Sequence, residues 1–430
     1  MSSNHKAILA QISEVKEIPG ADRIQLAVVL GEHVVVSKEM CVGDVGVLIP
    51  VDLQLSEEFC YENNLLRDKE KNKDKEKAGF FEANRRVRAQ PFLKVRSEGY
   101  FTTLDSFAYT GYDLSKESVG FKFDELSGNP ICKKYLSEKT LKAKGNNNTK
   151  AAKKDYATNF AKHVDSLQFR HEVGRIKAGS LLSFHSKRHG TSFRVGRVMV
   201  KQELSKLKQL VNKLVAVFPE EKLDYVVGTR NVVLKPQDVD KEGFHGSEAY
   251  RFEVLEALKP HLEDNMLIFG EIVGFVNGKP IMAQHNIKAL KNKAFEKRYG
   301  NTITYSYGCK EHEYKFFVYR VAYIVNGEVV DMSQKQLEKW CSDRGIEHTL
   351  EVHPQIVYDG DQEKLSKLVE SLAEREDVLC EDPTDPSHIH EGIIIKSESG
   401  NLVPDFYKYK TFAFRAMESG CDVADVEDAS

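Results

Sequence analysis

Six separated segments bring together residue types that can handle a nucleotide or a phosphate. Ser180 to Phe184 reads as a strand with Lys187 at its end; His189-Gly190 permits a tight turn and Thr191 to Val195 returns as a second strand, so an amine is held at a loop edge. In Val226-Val227-Gly228-Thr229-Arg230-Asn231-Val232 a polar step interrupts an apolar strand; it presents Arg230 to a ribose or phosphate, or forms a bulge with a surface arginine. Leu267 to Gly274 is an apolar strand except for Glu271, whose burial is unfavourable unless the carboxylate meets a cation or a donor. Tyr314 to Val321 places Phe317 and Tyr319 on one face of a strand, where either ring can stack on a base or pack in the core. Glu391-Gly392-Ile393-Ile394-Ile395-Lys396 is followed by Phe406-Tyr407-Lys408-Tyr409-Lys410, in which strand alternation points Lys408 and Lys410 to the same side. Two like charges side by side repel, and the pairing makes sense with a polyphosphate between them.

The elements that must position these groups fall into two parts. From Lys6 to about Tyr109, short apolar runs alternate with turn signals such as Pro19-Gly20-Ala21-Asp22 and Val42-Gly43-Asp44, a spacing that predicts a small antiparallel barrel. Ile18-Pro19-Gly20-Ala21-Asp22-Arg23-Ile24, with Ile49-Pro50-Val51-Asp52 later, resembles OB-fold modules that bind nucleic acid. The run from Arg67 to Lys77, inside an insertion at 66–79, is too polar to bury and reads as a solvated, mobile loop. After it, Arg85, Arg86, Arg88, Lys94 and Arg96 are interleaved with aromatic rings, a mixture that suits a phosphate backbone and unstacked bases or, more plainly, an amphipathic hairpin. The first domain is expected over 1–135, a basic linker over 136–160, a second domain over 161–415 and an acidic tail over 416–430. In the second domain Leu204, Leu207, Val211 and Leu214 share a helical face, Ser333 caps a helix through Trp340, and Asn277-Gly278 and Asn326-Gly327 mark hairpin turns. The fold class is α+β.

The 430 residues are 41% hydrophobic and 30% charged, and no apolar run approaches the roughly 18 residues of a membrane span. The N-terminus lacks the apolar core of a secretory signal, so the expected compartment is the cytoplasm, with no membrane partner. Seven scattered cysteines without a CxxC pair indicate neither a disulfide framework nor a zinc ribbon. A net charge of -3 excludes a protein that coats nucleic acid indiscriminately and leaves local charge to do the binding.

Taken in order, Lys-x-His-Gly at Lys187, Gly-Glu at Glu271, the aromatic strand at Phe317, Glu-Gly at Glu391 and Lys-x-Lys at Lys408 look like the motifs of the covalent nucleotidyltransferases, which comprise polynucleotide ligases and mRNA capping enzymes. Lys-x-His-Gly-Thr is similar to that of ligases such as phage RNA ligase 2. DNA ligases and capping enzymes carry an OB domain after Lys-x-Lys, for which the 20 residues beyond Lys410 leave no room. With its OB-like module first, the chain resembles nick-sealing RNA ligases built as an OB domain followed by a nucleotidyltransferase domain, an ATP-grasp-like ligase fold of antiparallel sheets and helices.

That resemblance implies a monomeric, ATP-dependent RNA ligase of RNA repair whose partner is RNA, or an RNA-containing duplex with a 3′-OH/5′-phosphate nick. Lys187 would attack the α-phosphate of ATP to give lysyl-AMP; AMP would pass to a 5′-phosphate and be displaced by a 3′-hydroxyl. A lysine with its ordinary pKa near 10.4 must be discharged first, and neighbouring positive charge is one means. The resemblance further assigns Mg²⁺ or Mn²⁺ near Glu391 and Glu271, the ribose to Glu271 or Arg230, adenine to Phe317 or Tyr319, and the phosphates to Lys408 and Lys410, with Lys396 a further candidate. Three positions depart from the pattern: Ser186 replaces an acid, Ser192 an Asn, and Arg320 an Asp. The alternatives are a capping-type guanylyltransferase using GTP, and a non-catalytic nucleic-acid-binding protein.

Overall fold

The computed structural model describes residues 5–93, 95–137, 156–157, 159–202, 204–215, 217–240, 242–243, 246–374 and 381–420. Lys94, most of the expected linker and the last ten residues lie outside them. Short apolar runs between turns form an N-terminal barrel of the OB-like type expected. Its long strand β1 (Ala7–Glu17) serves two neighbours: Ile8 to Gln11 pair with β4 (Val45–Ile49), and beyond an irregularity between Ile12 and Glu14 the rest pairs with β2 (Ile24–Val29). With β3 (Glu32–Ser37), β5 (Tyr100–Thr102) and β6 (Lys122–Phe123), the order is β3-β2-β1-β4-β5, with β6 on β1. Apolar residues on both sides of the bent strand fill separate cores around Leu9 and Phe107 and around Ile12 and Phe101.

The charged insertion has more structure than its composition suggests. Asn72, fully buried, donates to the Leu66 and Lys77 carbonyls (2.7 and 2.8 Å) and accepts from the Leu66 N–H (3.0 Å), so the lysines and glutamates wrap around one satisfied amide. One amide replaces the core that the segment cannot build.

The second domain consists of two antiparallel-rich sheets joined at the turn after Lys187. In the first, a short strand Leu167–Gln168 is followed in the sheet by β15 (Asp405–Lys410), β14 (Gly392–Glu398), β7 (Leu181–Ser186) and β13 (Glu351–Val357). Leu182, Phe184, Ile393, Ile395, Tyr407 and Tyr409 cover one face with α4 (Gln362–Ala373). In the second, β9 (Glu221–Gly228), β8 (Thr191–Lys201), β10 (Met266–Val276), β11 (Tyr314–Val325) and β12 (Glu328–Asp331) are neighbours, backed by α2 (Ala249–Leu258) and α3 (Gln334–Ser342). Both Asn-Gly pairs turn as expected, with positive φ at each residue, and Ser333 forms a capping box with Gln336.

Helix α1 (Lys206–Leu214) forms as expected, with Ser205 as its cap and Leu204 just before it, and its apolar face looks outward, Leu207 being 72% and Leu214 82% exposed. One expectation needs correction. Residues 416–420, expected to begin an acidic tail, instead end helix α5 (Phe412–Gly420), in which Ala413, Phe414, Ala416, Met417 and Glu418 are buried. The helix is wedged between the two domains, packing against Ala89 on one side and Ile287, Leu290 and Tyr305 on the other.

A buried charge cluster closes the domain interface. Glu32 accepts from Arg415 (2.7 Å), Arg170 (3.2 Å) and His171 (3.1 Å); Glu98 meets Arg415 at 3.0 Å and Arg170 at 3.5 Å. Burial alone would raise both carboxyls, but the arginines outweigh it, with His171 aiding at Glu32 and His33 at Glu98, so both titrate below their ordinary value of 4.5. A depressed carboxyl contributes stability that is present above its unfolded value and lost as pH falls through the folded one. The melting temperature of the full chain is therefore expected to drop as the solution is acidified from about pH 5 to about pH 3. A double variant, Glu32→Gln with Glu98→Gln, should begin less stable at neutral pH and show a shallower acid slope; parallel slopes would contradict the account.

Candidate active site

Lys187 is placed by strand pairing. Its backbone N–H donates to the Gly392 carbonyl at 2.8 Å, one residue past the Ser186–Ile393 pair, so the β7–β14 ladder fixes its direction before the chain turns into β8. Its side chain, 14% exposed, reaches Glu391, Nζ to Oε1 at 2.9 Å. Glu391 is 1% exposed and its Oε1 also lies 3.8 Å from Lys410 Nζ, while Oε2 is 4.0 Å from His189 Nδ1. Two amines thus share one buried carboxylate oxygen.

Two glycines make that approach possible. A Cβ on Gly392, whose φ is +147°, would stand 2.0 Å from the Tyr409 carbonyl, and one on Gly190 would stand 2.3 Å from the Ile272 carbonyl. Gly392 lets Glu391 close on the Lys410 strand, and Gly190 lets the return strand lie on β10. The turn between them is held from behind: the His189 N–H donates to the Tyr307 hydroxyl at 2.7 Å, and the Arg188 guanidinium lies over the Tyr307 and Phe317 rings while pairing with Asp382. Arg251, almost fully buried, donates to the Ser192 carbonyl (3.0 Å) and the Thr191 hydroxyl (2.9 Å), fixing the start of β8.

A cavity opens between the sheets and is lined by Lys187, Lys408 and Lys410 on one wall and Arg230, Glu271 and Tyr319 on the other. Glu391 is not among its lining residues; it sits behind the two amines. Lys408 pairs across the strands with Ile394 and Lys410 with Gly392, which puts both lysines on the cavity side while Tyr407 and Tyr409 face the core. Glu271 is opposite Ser192 on one neighbour and Phe317 on the other. Arg230 meets Asp165 at 2.6 Å. Lys396 lines the same cavity but is 2% exposed, donates to the Met332 carbonyl at 3.1 Å and pairs with Glu398 at 3.0 Å; burial pushes its ammonium below the usual lysine range against the pull of Glu398. His185 also faces the cavity, its imidazole pushed down to about 4 by burial, and is neutral at pH 7.

Simple alternation does not hold on the aromatic strand. A register shift pairs Phe269 with Arg320 but Gly270 with Val318, leaving Tyr319 as an extra residue in a β-bulge. Tyr319 and Arg320 both reach the cavity, Tyr319 with its hydroxyl 2.9 Å from His163 Nδ1, and Arg320 held bidentately by Asp331 at 2.6 and 2.7 Å. Phe317 is not a lining residue; it packs with Tyr305, Tyr307 and Phe414. His163, His185 and Arg320 were not among the expected site residues; only the bulge brings Arg320 in, and no local pattern announces a bulge.

The expected arginine cluster lies in the N-terminal domain and is largely committed to structure. Arg86 is 4% exposed, pairs with Asp52 at 2.8 Å and lies over the Tyr135 ring, so it is not a surface contact for nucleic acid. Arg85 pairs with Glu57 and donates to the Leu55 carbonyl; Arg96 pairs with Glu374 and covers Phe412; Arg88 is half-buried.

An RNA ligase family model matches residues 183–410, more than half of the chain and the whole span from the Lys187 strand to Lys410. The chain belongs to the RNA ligase family. A separate OB-fold domain model matches residues 6–99 of the ligase, which hold strands β1 to β4 of the barrel. Among solved structures, a mutant of Naegleria gruberi RNA ligase with AMP and Mn is 15% identical, with a TM-score of 0.56 over 96% of this chain and 98% of that one. Naegleria gruberi RNA ligase with PPi is 15% identical, with a TM-score of 0.55 over 96% and 98%. At that identity the likeness establishes a shared fold for both domains. No curated protein matches the sequence.

The geometry of Gly392 in this ligase gives a test. Gly392→Ala must separate β14 from β15 and move Glu391 off Lys410, so it should slow enzyme–nucleotide formation by about 10²-fold, the size of effect expected from a displacement of about 1 Å. Melting should also fall; a variant with wild-type melting and wild-type adduct formation would show that the close approach is not needed.

Proposed function

We propose that this RNA ligase is ATP-dependent, that Lys187 is its nucleophile, and that it seals 3′-OH/5′-phosphate nicks in duplex RNA or RNA–DNA hybrids during RNA repair. The observation that carries the reading is the pair Lys187 and Lys410 on one buried carboxylate, at the wall of a cavity that also holds Lys408, Arg230, Glu271 and Tyr319. Lys187 Nζ, having given up one proton to solvent, attacks the α-phosphorus; the N–P bond forms, the bond to pyrophosphate breaks with its electron pair on the leaving oxygen, and the second amine proton passes to solvent. Lys408 and Lys410 hold the phosphate oxygens and stabilise the charge that builds on them. Tyr319 stacks on adenine rather than Phe317, because it alone of the two lines the cavity. Glu271 and Arg230 orient the ribose. AMP then passes to the 5′-phosphate, and a 3′-hydroxyl displaces it. Solved structures of Naegleria gruberi RNA ligase mutants include complexes with ATP and Mn, which supports ATP and Mg²⁺ or Mn²⁺ as the cofactors here.

The donor set suits that ion. Among the described residues no three His, Cys, Asp or Glu side chains form a cluster, so a divalent cation would be held mainly by phosphate oxygens and water, as hard, reluctantly dehydrated cations prefer, with Glu271 as the carboxylate that lines the cavity; Glu391, expected as a ligand, lies behind the two amines instead. When bound, the ion adds positive charge to the polyphosphate.

Incubation with labelled ATP or GTP and metal, followed by denaturing electrophoresis, tests the first step. Label should persist from ATP and vanish in Lys187→Ala; label from GTP alone would contradict the reading. Tyr319→Ala should raise the ATP KM by about 5- to 150-fold, as loss of a stacking partner worth ~1–3 kcal/mol requires, while Phe317→Ala should act mainly on melting. The reverse pattern would return the adenine contact to Phe317. Substrate choice is read from a panel of nicks differing only in the terminal 3′ sugar: RNA ends should be sealed in preference to DNA ends, and equal rates would contradict a ribose requirement.

A further inference from the structure

We propose that Glu418 is the positioning residue for Lys410, and that the N-terminal domain reaches the phosphate-handling end of the site through it. The inference rests on the reading of Lys410 as a phosphate ligand. Both oxygens of Glu418, 4% exposed, contact Lys410 Nζ, at 2.9 and 3.1 Å, and the Phe414 ring of the same helix lies 5.1 Å from that nitrogen. Glu391 is farther from Lys410, at 3.8 Å, and makes its short contact to Lys187. Glu418 thus holds Lys410 away from Glu391 and leaves that carboxylate to the nucleophile. Without Glu418, Lys410 would close on Glu391, drawing one amine off the phosphate and the carboxylate off the other amine.

The helix that carries Glu418 is fixed at both ends. At its start, the Thr411 N–H donates to the Glu391 carbonyl (2.9 Å), and the Thr411 hydroxyl donates to the His390 carbonyl (2.9 Å) and accepts from the Phe414 N–H (3.2 Å). At its end, the buried Arg86 guanidinium donates to the Glu418 and Ser419 carbonyls (3.3 and 3.4 Å), and the Ala89 N–H donates to the Ser419 hydroxyl (3.1 Å). Arg86 and Ala89 belong to the N-terminal domain, so the residue whose carboxylate holds Lys410 has its own backbone held by that domain. A last turn of helix has unsatisfied carbonyls, and a guanidinium fork can span two of them where an ammonium cannot.

The test is single-turnover formation of the enzyme–nucleotide adduct over a range of ATP concentrations, with melting measured alongside. Glu418→Ala should slow the step at saturating ATP by about 10²-fold with a smaller change in KM, and Glu418→Gln, which keeps the shape and one acceptor, should fall between; if Glu418→Ala does not fold, Glu418→Gln carries the comparison. In a Lys410→Ala background, Glu418→Ala should cost nothing further, because it acts only through that amine. Arg86→Lys should show a milder loss of the same kind, also absent in the Lys410→Ala background. Wild-type rates in both Glu418 variants, or an equal loss with and without Lys410, would overturn the inference, and an Arg86→Lys effect confined to melting would overturn the domain link. Full activity of Lys410→Ala would instead remove the reading of Lys410 on which the inference stands.

Discussion

Two ammonium groups cannot be held near one another inside a folded chain unless negative charge lies between them, since burial strengthens their repulsion along with every other charge interaction. In this ligase the Glu391 carboxylate meets that constraint, with Lys187 at 2.9 Å and Lys410 at 3.8 Å from the same oxygen. Much of the second domain follows from it. The strand that carries Glu391 must lie between the strand that delivers Lys187 and the one that delivers Lys410, and it does. Gly392 is needed where the strands close, and a second carboxylate, Glu418, is needed because one anion does not balance two cations.

The same logic extends to the domain interface. Arg170 lies over the Tyr409 ring, between the two lysines of Lys-x-Lys, and donates to its hydroxyl at 2.5 Å, while its guanidinium also meets Glu32 and Glu98 from the barrel. Arg415, on the helix after Lys410, joins the same two carboxylates. The barrel is therefore fastened both to the strand that carries Lys408 and Lys410 and to the helix that follows it. Ion pairs that are buried and mutually hydrogen-bonded specify a relative orientation even where their net contribution to stability is small.

Much of this was legible in the residues themselves. Turn signals gave the barrel, because Gly, Pro and Asp punctuate strands for local steric reasons. Of the residues picked out by their order, Lys187, Glu271, Lys408 and Lys410 line one cavity while Phe317 and Glu391 lie behind it, and strand alternation put Lys408 and Lys410 on one side, where they are found. What escaped depends on partners distant in the chain. Arg86 looks like a cation for nucleic acid until Glu418 and Ser419 are seen beside it, more than 300 residues away. Glu418 reads as the start of an acidic tail because nothing near it in sequence says that Lys410 is waiting. The bulge that turns Arg320 inward leaves no local mark, and the leucines of α1 obey a helical period without covering a surface among the described residues.

The account stands on Lys187 being the amine that takes the nucleotide, and the most direct measurement is to locate that bond. The purified full-length chain, incubated with ATP and Mn²⁺, should be denatured without acid, digested and mapped by mass spectrometry. The account predicts AMP on the peptide containing Lys187 and on no other lysine. AMP on Lys408, Lys410 or any lysine outside the cavity would contradict it.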